Sequence, residues 1–243
     1  MLGATWKRSR LLLSILQPEA VIHTFAMGAA DAAAAHEAFA GRTGRLVLLS
    51  SGDVYRAYGR FIRLESGAAE QGLLQEDSPL RTVLFPYRRQ APSQDSLQHW
   101  YDKILAERAV LGHSGLPATI LRLPKVYGPG SNSDLATVYR YRHHPHWRWT
   151  HGYVENVAAA IVLAATHPSA AGRVYNVGEQ RTPAVGERLC QMPPSTIEPD
   201  VESPFDFAHD LAYATSRIRS ELGYREIFDE QETLQRTLYA KRA

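Results

Sequence analysis

Four short apolar runs separated by helical patterns constrain this chain more than any other feature. They read "EAVIHTFAM" (19–27), "GRLVLLSS" (44–51), "PATILRLPKVYGPG" (117–130) and "GRVYNVGE" (172–179). An alanine-rich helix over 29–41 ends at Gly41. A second helix spans 96–112, with Ser96 as cap and Gly112 as stop, and a third spans 152–168. Strands alternating with helices predict an α/β fold with a parallel, doubly wound sheet. Two short amphipathic helices at 215–224 and 229–242 follow a loop-rich stretch. From Gly52 to about Ser96 there is little periodicity, and a loop of that length inside a compact domain is usually functional.

The second run ends abruptly: "RLVLLSSGDVYRAYG" (45–59) passes from leucines to two serines, a glycine and an aspartate. In an open α/β sheet the ligand crevice lies at the carboxyl ends of the strands. Hydroxyls and a carboxylate delivered there predict the edge of an active site.

Totals narrow the classes. The 243 residues suit one large domain, or a domain with a small appendage. A net charge of +2 with interspersed signs argues against a nucleic-acid surface and leaves an anionic small substrate open. A lone cysteine, Cys190, excludes an intramolecular disulfide. The beginning, "MLGATWKRSRLLLSILQPEA", reads as an amphipathic helix leading into a strand rather than a signal peptide. No segment is apolar enough to span a bilayer, so the expectation is a cytoplasmic protein with no membrane partner.

The segments together resemble the extended short-chain dehydrogenase/reductases of the NAD-dependent epimerase/dehydratase type. "AVIHTFA" is similar to the strand beneath the cofactor, "LSSGDVYRAYG" to the serine-bearing strand end, and "YDKILAERAVLG" to the lysine helix. "LPATILRLPKVYGPG", "WRWTHGYVENVAAAI", "GRVYNVGE" and "SRIRSELGY" follow in the family's order. The resemblance implies a partial Rossmann-like parallel sheet over 1–130. Residues 131–243 would hold the last core strand and helix, interleaved with a small C-terminal substrate-type subdomain. It also exposes a departure: no G-x-G-x-x-G or G-x-x-G-x-x-G occurs, so the first βαβαβ half, roughly sixty residues, is expected to be missing. The chain alone is therefore expected to bind no cofactor, with NAD(P) used only if a partner chain supplies that half. Loss of those strands would leave "AVIHTFAM" as an unpaired edge, which predicts a homo- or hetero-oligomer.

The resemblance also implies roles. Ser51 matches the catalytic hydroxyl, four residues before Tyr55, and alternatively caps the strand end. Asp53 stands where dehydratase relatives place an acid, and is equally an Asx-turn residue. Lys103 matches the lysine that orients ligand hydroxyls and lowers a tyrosine pKa. The family spacing is Tyr-x-x-x-Lys, whereas here His99 is four residues before Lys103 and Tyr101 only two. On an ideal helix Tyr101 would point roughly 200° from Lys103, and His99 about 40°. Either the helix start is irregular and Tyr101 reaches in, or His99 takes its place.

Lys125, Arg148 and His151 form a basic set suited to a phosphate or carboxylate, with solvated loop charge the plainer alternative. His143, His144 and His146 lack a ligand spacing, so no metal is expected, and Trp147 and Trp149 are packing or pocket-wall residues. These residues suggest a diverged, non-redox enzyme of specialised-metabolite biosynthesis. It would perform an elimination or ring closure on an anionic small molecule, in a complex. The alternatives are half of a split NAD(P)-dependent sugar epimerase, dehydratase or reductase, and a non-catalytic partner subunit.

Overall fold

A computed structural model describes residues 18–239 except 112, 114 and 134. The expected N-terminal helix, Gly112 and the last residues of the 229–242 helix lie outside the described residues. Four strands, β1 (Ala20–His23), β2 (Arg45–Ser51), β3 (Ala118–Leu123) and β4 (Lys125–Tyr127), are followed by β5 (His151–Tyr153) and β6 (Val174–Asn176). Among the described residues β1, β2, β3 and β6 form one sheet in that order, parallel throughout. Thus β1 lies at its edge, where Ile22 and, just beyond the strand, Phe25 are exposed.

Alternation along β2 explains the layering, because successive side chains leave a strand on opposite faces. Leu46 and Leu48 pack with the helices Ala29–Phe39 (α1) and Lys103–Leu111, through Ala32, Ala38, Ala106 and Val110. Val47 and Leu49 pack on the other face against helix Val154–Thr166 and helix Ser216–Leu222. A third cluster lies beyond the strand ends, built on Tyr55, Phe61, Tyr127, Trp147 and Tyr213.

Three elements depart from the sequence reading. The 117–130 run is not one strand, because Pro124 has no N–H for the ladder. β4 instead pairs with β5 in a separate parallel pair, Lys125 opposite His151 and Tyr127 opposite Tyr153. The nonperiodic 52–96 segment contains a helix, Arg56–Phe61 (α2).

The expected 96–112 helix is broken into Leu97–Trp100 (α3) and Lys103–Leu111 (α4), with Tyr101 extended at φ −66° and ψ 120°. Asp102 causes the break. Its Oδ1 accepts from the Ile104 N–H at 2.9 Å and its Oδ2 from the Phe85 N–H at 2.6 Å. Its own N–H donates to the Met27 carbonyl at 2.8 Å. An aspartate that caps a helix start this way competes with continuation of the helix before it.

Between the sheet and α4 lies a buried polar knot. Arg122 pairs with Glu107 at 2.8 Å and 3.0 Å, Glu107 also accepts from the Ser50 hydroxyl at 2.5 Å, and Arg122 donates to the Tyr55 hydroxyl at 3.1 Å. Removing one member of a buried pair leaves the other charge uncompensated. Glu107→Ala is therefore expected to lower the unfolding free energy by about 3 kcal/mol or more, measured by urea denaturation.

Candidate active site

The end of β2 turns through a single 3-10 turn, Gly52–Val54, in which the Ser51 hydroxyl accepts from the Asp53 N–H at 3.3 Å. Gly52 is needed for space rather than backbone freedom, since a Cβ there would stand 1.5 Å from the Tyr213 hydroxyl oxygen. Arg81 fixes the turn against the break before α4. Its buried guanidinium donates to the Asp53 carbonyl at 2.5 Å and lies 3.6 Å from the Asp102 carboxylate.

That clamp brings Tyr101 to the strand end. The Tyr101 hydroxyl donates to Asp53 Oδ2 at 2.8 Å, and the Tyr87 hydroxyl donates to the same oxygen at 3.1 Å. Tyr58 and Tyr87 share a hydrogen bond of 2.9 Å. Asp53 is 5% exposed, and its Oδ1 has no hydrogen-bond partner. Burial holds this carboxyl above the usual carboxylate range, against the opposing effects of Tyr101, Arg81, Tyr87 and Lys103.

Lys103 sits beneath Tyr101, its Nζ 5.8 Å from the ring centroid and donating to the Ala26 and Leu49 carbonyls at 2.7 and 2.9 Å. Burial lowers the Lys103 pKa. The tyrosine does not follow the family expectation: burial first, and then the Asp53 carboxylate, push the Tyr101 pKa up. Tyr101 is thus a hydroxyl donor rather than a ready phenolate.

The chemistry faces a cavity of about 230 Å³. Ser51 and Asp53 form one wall, Leu123 to Lys125 another, and Tyr58, Tyr87, Trp149 and Tyr213 complete it. Lys125 is the cation of this lining, 5.3 Å from the Trp149 ring centroid, with its pKa lowered by burial and then by Arg140.

The structure therefore brings Ser51, Asp53, Tyr101 and Lys103 together, with Lys125 across the cavity. It leaves three proposed residues elsewhere. His99 packs edge-on against Trp100, ring centroids 4.9 Å apart, and its carbonyl accepts from Arg88 Nε at 3.2 Å. The helix break gives its expected place to Tyr101.

Arg148 is exposed, and its backbone N–H donates to Asp210 at 3.0 Å. His151 is 5% exposed, with Nδ1 2.7 Å from the Trp149 carbonyl, beside Arg188 at a void of about 10 Å³. Trp149 separates it from the cavity, lining both spaces. Among the described residues no group of three or more His, Cys, Asp or Glu could hold a metal ion.

Tyr58, Tyr87 and Tyr213 were not legible as site residues. The one available signal for Tyr87 was its place in the long nonperiodic segment, where loops tend to carry function. Trp147, by contrast, is core: its ring stacks on Phe61 with centroids 4.9 Å apart.

A parallel open sheet with a serine-bearing strand end, a lysine helix and a tyrosine beside it defines a Rossmann-type α/β protein. Residues 7–178 match the pattern of the NAD dependent epimerase/dehydratase family, and the chain belongs to that family. No curated protein matches the sequence.

Several solved structures share the fold at low identity. A short-chain dehydrogenase/reductase superfamily protein from Agrobacterium tumefaciens with bound NAD is 20% identical. The match covers 92% of this chain and 79% of that one, with a TM-score of 0.68. The dTDP-glucose 4,6-dehydratase of Bacillus anthracis in complex with NAD is 17% identical, covering 98% and 76%, with a TM-score of 0.66. The UDP-glucose 4-epimerase of Thermotoga maritima with UDP-glucose is 15% identical, covering 98% and 81%, with a TM-score of 0.65.

These neighbours correct one expectation. The missing glycine motif suggested a protein that works without a cofactor, but the fold is shared with proteins that hold NAD. The motif's absence describes one phosphate-binding turn, and it does not decide what the strand ends accommodate. Among the described residues no helix is long and apolar enough to cross a membrane.

Proposed function

We propose that this chain takes part in a nicotinamide-dependent, elimination-type modification of a sugar nucleotide, with Asp53 as the group that exchanges a proton with the sugar. One observation carries the reading: a buried carboxyl, pushed above its usual range, with one oxygen buried and unpartnered, on a residue in the wall of a cavity that also offers a lysine. A carboxyl whose pKa is raised by burial keeps its proton more readily than an exposed one, as a proton-transfer group must. NAD(P), when bound, supplies reversible hydride transfer, which makes a neighbouring carbon–hydrogen bond acidic enough for such a step.

The residues present fit the nicotinamide end of that cofactor. Lys103 uses two of its three N–H donors on backbone carbonyls and keeps one, with the Tyr101 ring centroid 5.8 Å from its Nζ. Ser51, in the cavity wall, carries a hydroxyl fit to orient a sugar oxygen. Lys125 supplies positive charge for an anionic substrate. The dTDP-glucose and UDP-glucose neighbours support a sugar nucleotide as the substrate class.

The experiment is incubation of the chain with NAD⁺ and dTDP-glucose or UDP-glucose in D₂O, followed by NMR of the sugar. The expected result is conversion with solvent deuterium at a sugar carbon. Lys125→Ala should raise KM about tenfold with little change in kcat, as loss of a charged contact made equally in ground and transition states. No conversion of either nucleotide by the wild-type chain would remove this reading.

A further inference from the structure

Two hydroxyls converge on one oxygen of Asp53, and only one of them belongs to the segment that resembles the family's motif. Tyr101 lies beside Lys103, whereas Tyr87 comes from the long segment between β2 and α3. We propose that Tyr87, braced by Tyr58, is a positioning residue for Asp53: it holds Oδ2 so that the transferable proton resides on Oδ1, and it eases release of that proton. This rests on the reading of Asp53 as the proton-transfer group.

Hydrogen counting leads there. A neutral carboxyl has one O–H, and Oδ2 already receives two donors, at 2.8 and 3.1 Å. Its acceptor sites are filled, so the proton belongs on Oδ1, the oxygen with no partner. The single hydrogen of Tyr87 is directed at Asp53, so across the 2.9 Å contact Tyr58 is the donor and Tyr87 the acceptor. Tyr58 thereby polarises the bond that Tyr87 makes. The Tyr87 and Tyr101 rings lie against one another, centroids 5.2 Å apart, which fixes the angle between the two donors.

Neither tyrosine is the acid itself, because burial and the Asp53 carboxylate hold both hydroxyls protonated. Once Asp53 ionises, two phenol donors share its charge, and loss of one disfavours the ionised form. The other groups facing Asp53 are Arg81 and Lys103 on the protein side, Tyr213 over the turn and Lys125 across the cavity. All four persist when Tyr87 loses its hydroxyl, so the difference between variants reads Tyr87.

The test needs no substrate. Protein carrying ¹³C at its aspartate carboxyl carbons is titrated by NMR, with Asp53→Asn assigning the resonance. Tyr87→Phe, which keeps the ring, is expected to move the Asp53 midpoint upward by about one pH unit or more. Tyr58→Phe should move it the same way by less. Unmoved resonances of the other aspartates report an intact fold. An Asp53 midpoint shared by wild type and Tyr87→Phe overturns the role of Tyr87 and leaves Asp53 as the acid. A wild-type Asp53 that titrates with the exposed aspartates overturns the reading beneath it instead.

Discussion

Asp53→Asn is expected to lower kcat about a hundred- to ten-thousand-fold while the folded chain survives, the range typical of losing a positioned acid–base group. The substitution is nearly isosteric. An amide oxygen can still accept from Tyr87 and Tyr101, and the backbone bonds of the turn to Ser51 and Arg81 are untouched. What disappears is the exchangeable carboxyl proton.

Stability should move the other way. Burial raises the Asp53 pKa in the folded chain, so the unfolded state releases its proton first as pH rises. The carboxyl's favourable contribution is complete below the unfolded value near 3.8 and is lost as pH climbs through the folded value. At neutral pH the asparagine variant should therefore unfold no more easily than wild type, and its relative stability should grow with pH. Thermal unfolding at pH 4 and pH 8, set beside the deuterium-exchange assay, checks both halves. A variant equally active would remove Asp53 from the chemistry.

How much of this was readable beforehand differs residue by residue. The sheet was, because continuous apolar runs such as 46–49 and the helical patterns between them are local features. The place of Ser51 and Asp53 at a strand end was, because the apolar run stops there, while Lys103 was singled out by the resemblance of its helix to the family's lysine helix.

The choice between His99 and Tyr101 was not. It turned on whether the helix start is irregular, and the break that makes it so depends on Asp102 contacting Phe85, Met27 and Arg81 across the fold. The aspartate itself was the available sign, as a candidate cap just before Lys103.

The basic set misled for a different reason. Lys125, Arg148 and His151 share a charge type, but Lys125 lines the cavity, His151 lines the smaller void on which Trp149 also borders, and Arg148 is exposed, a difference invisible in composition. Glu107 lies one helical turn after Lys103, yet its partner Arg122 is supplied by another strand. The tyrosines around Asp53 come from three separate segments, so no single stretch of sequence announces them.

His151, excluded from the cavity, is expected instead to dominate the acid response of the fold. It is buried beside Arg188 with Nε2 unpartnered, and burial first, then Arg188, lowers its pKa to about 3. In the unfolded chain the ring protonates near 6.5. Between those values the unfolded state carries a proton that the folded state refuses. The stability contributed by neutral His151 is thus complete above pH 6.5 and is lost as pH falls towards 3. At about 1.4 kcal/mol per pKa unit the loss across that window is on the order of 5 kcal/mol, a large share of an ordinary domain's stability.

Asparagine can keep the donor that faces the Trp149 carbonyl, currently Nδ1 at 2.7 Å, and cannot take up a proton. Urea unfolding from pH 7 to pH 4 should therefore show a steep fall for wild type and a shallower one for His151→Asn, the curves separating as pH drops. The buried carboxyls of Asp53 and Glu179 are also pushed upward, so they do not add to this acid loss in the manner of ion-paired surface carboxylates. Parallel curves for the two proteins would mean that the ring accepts its proton without leaving the fold, and that the contact with Arg188 opens on acidification.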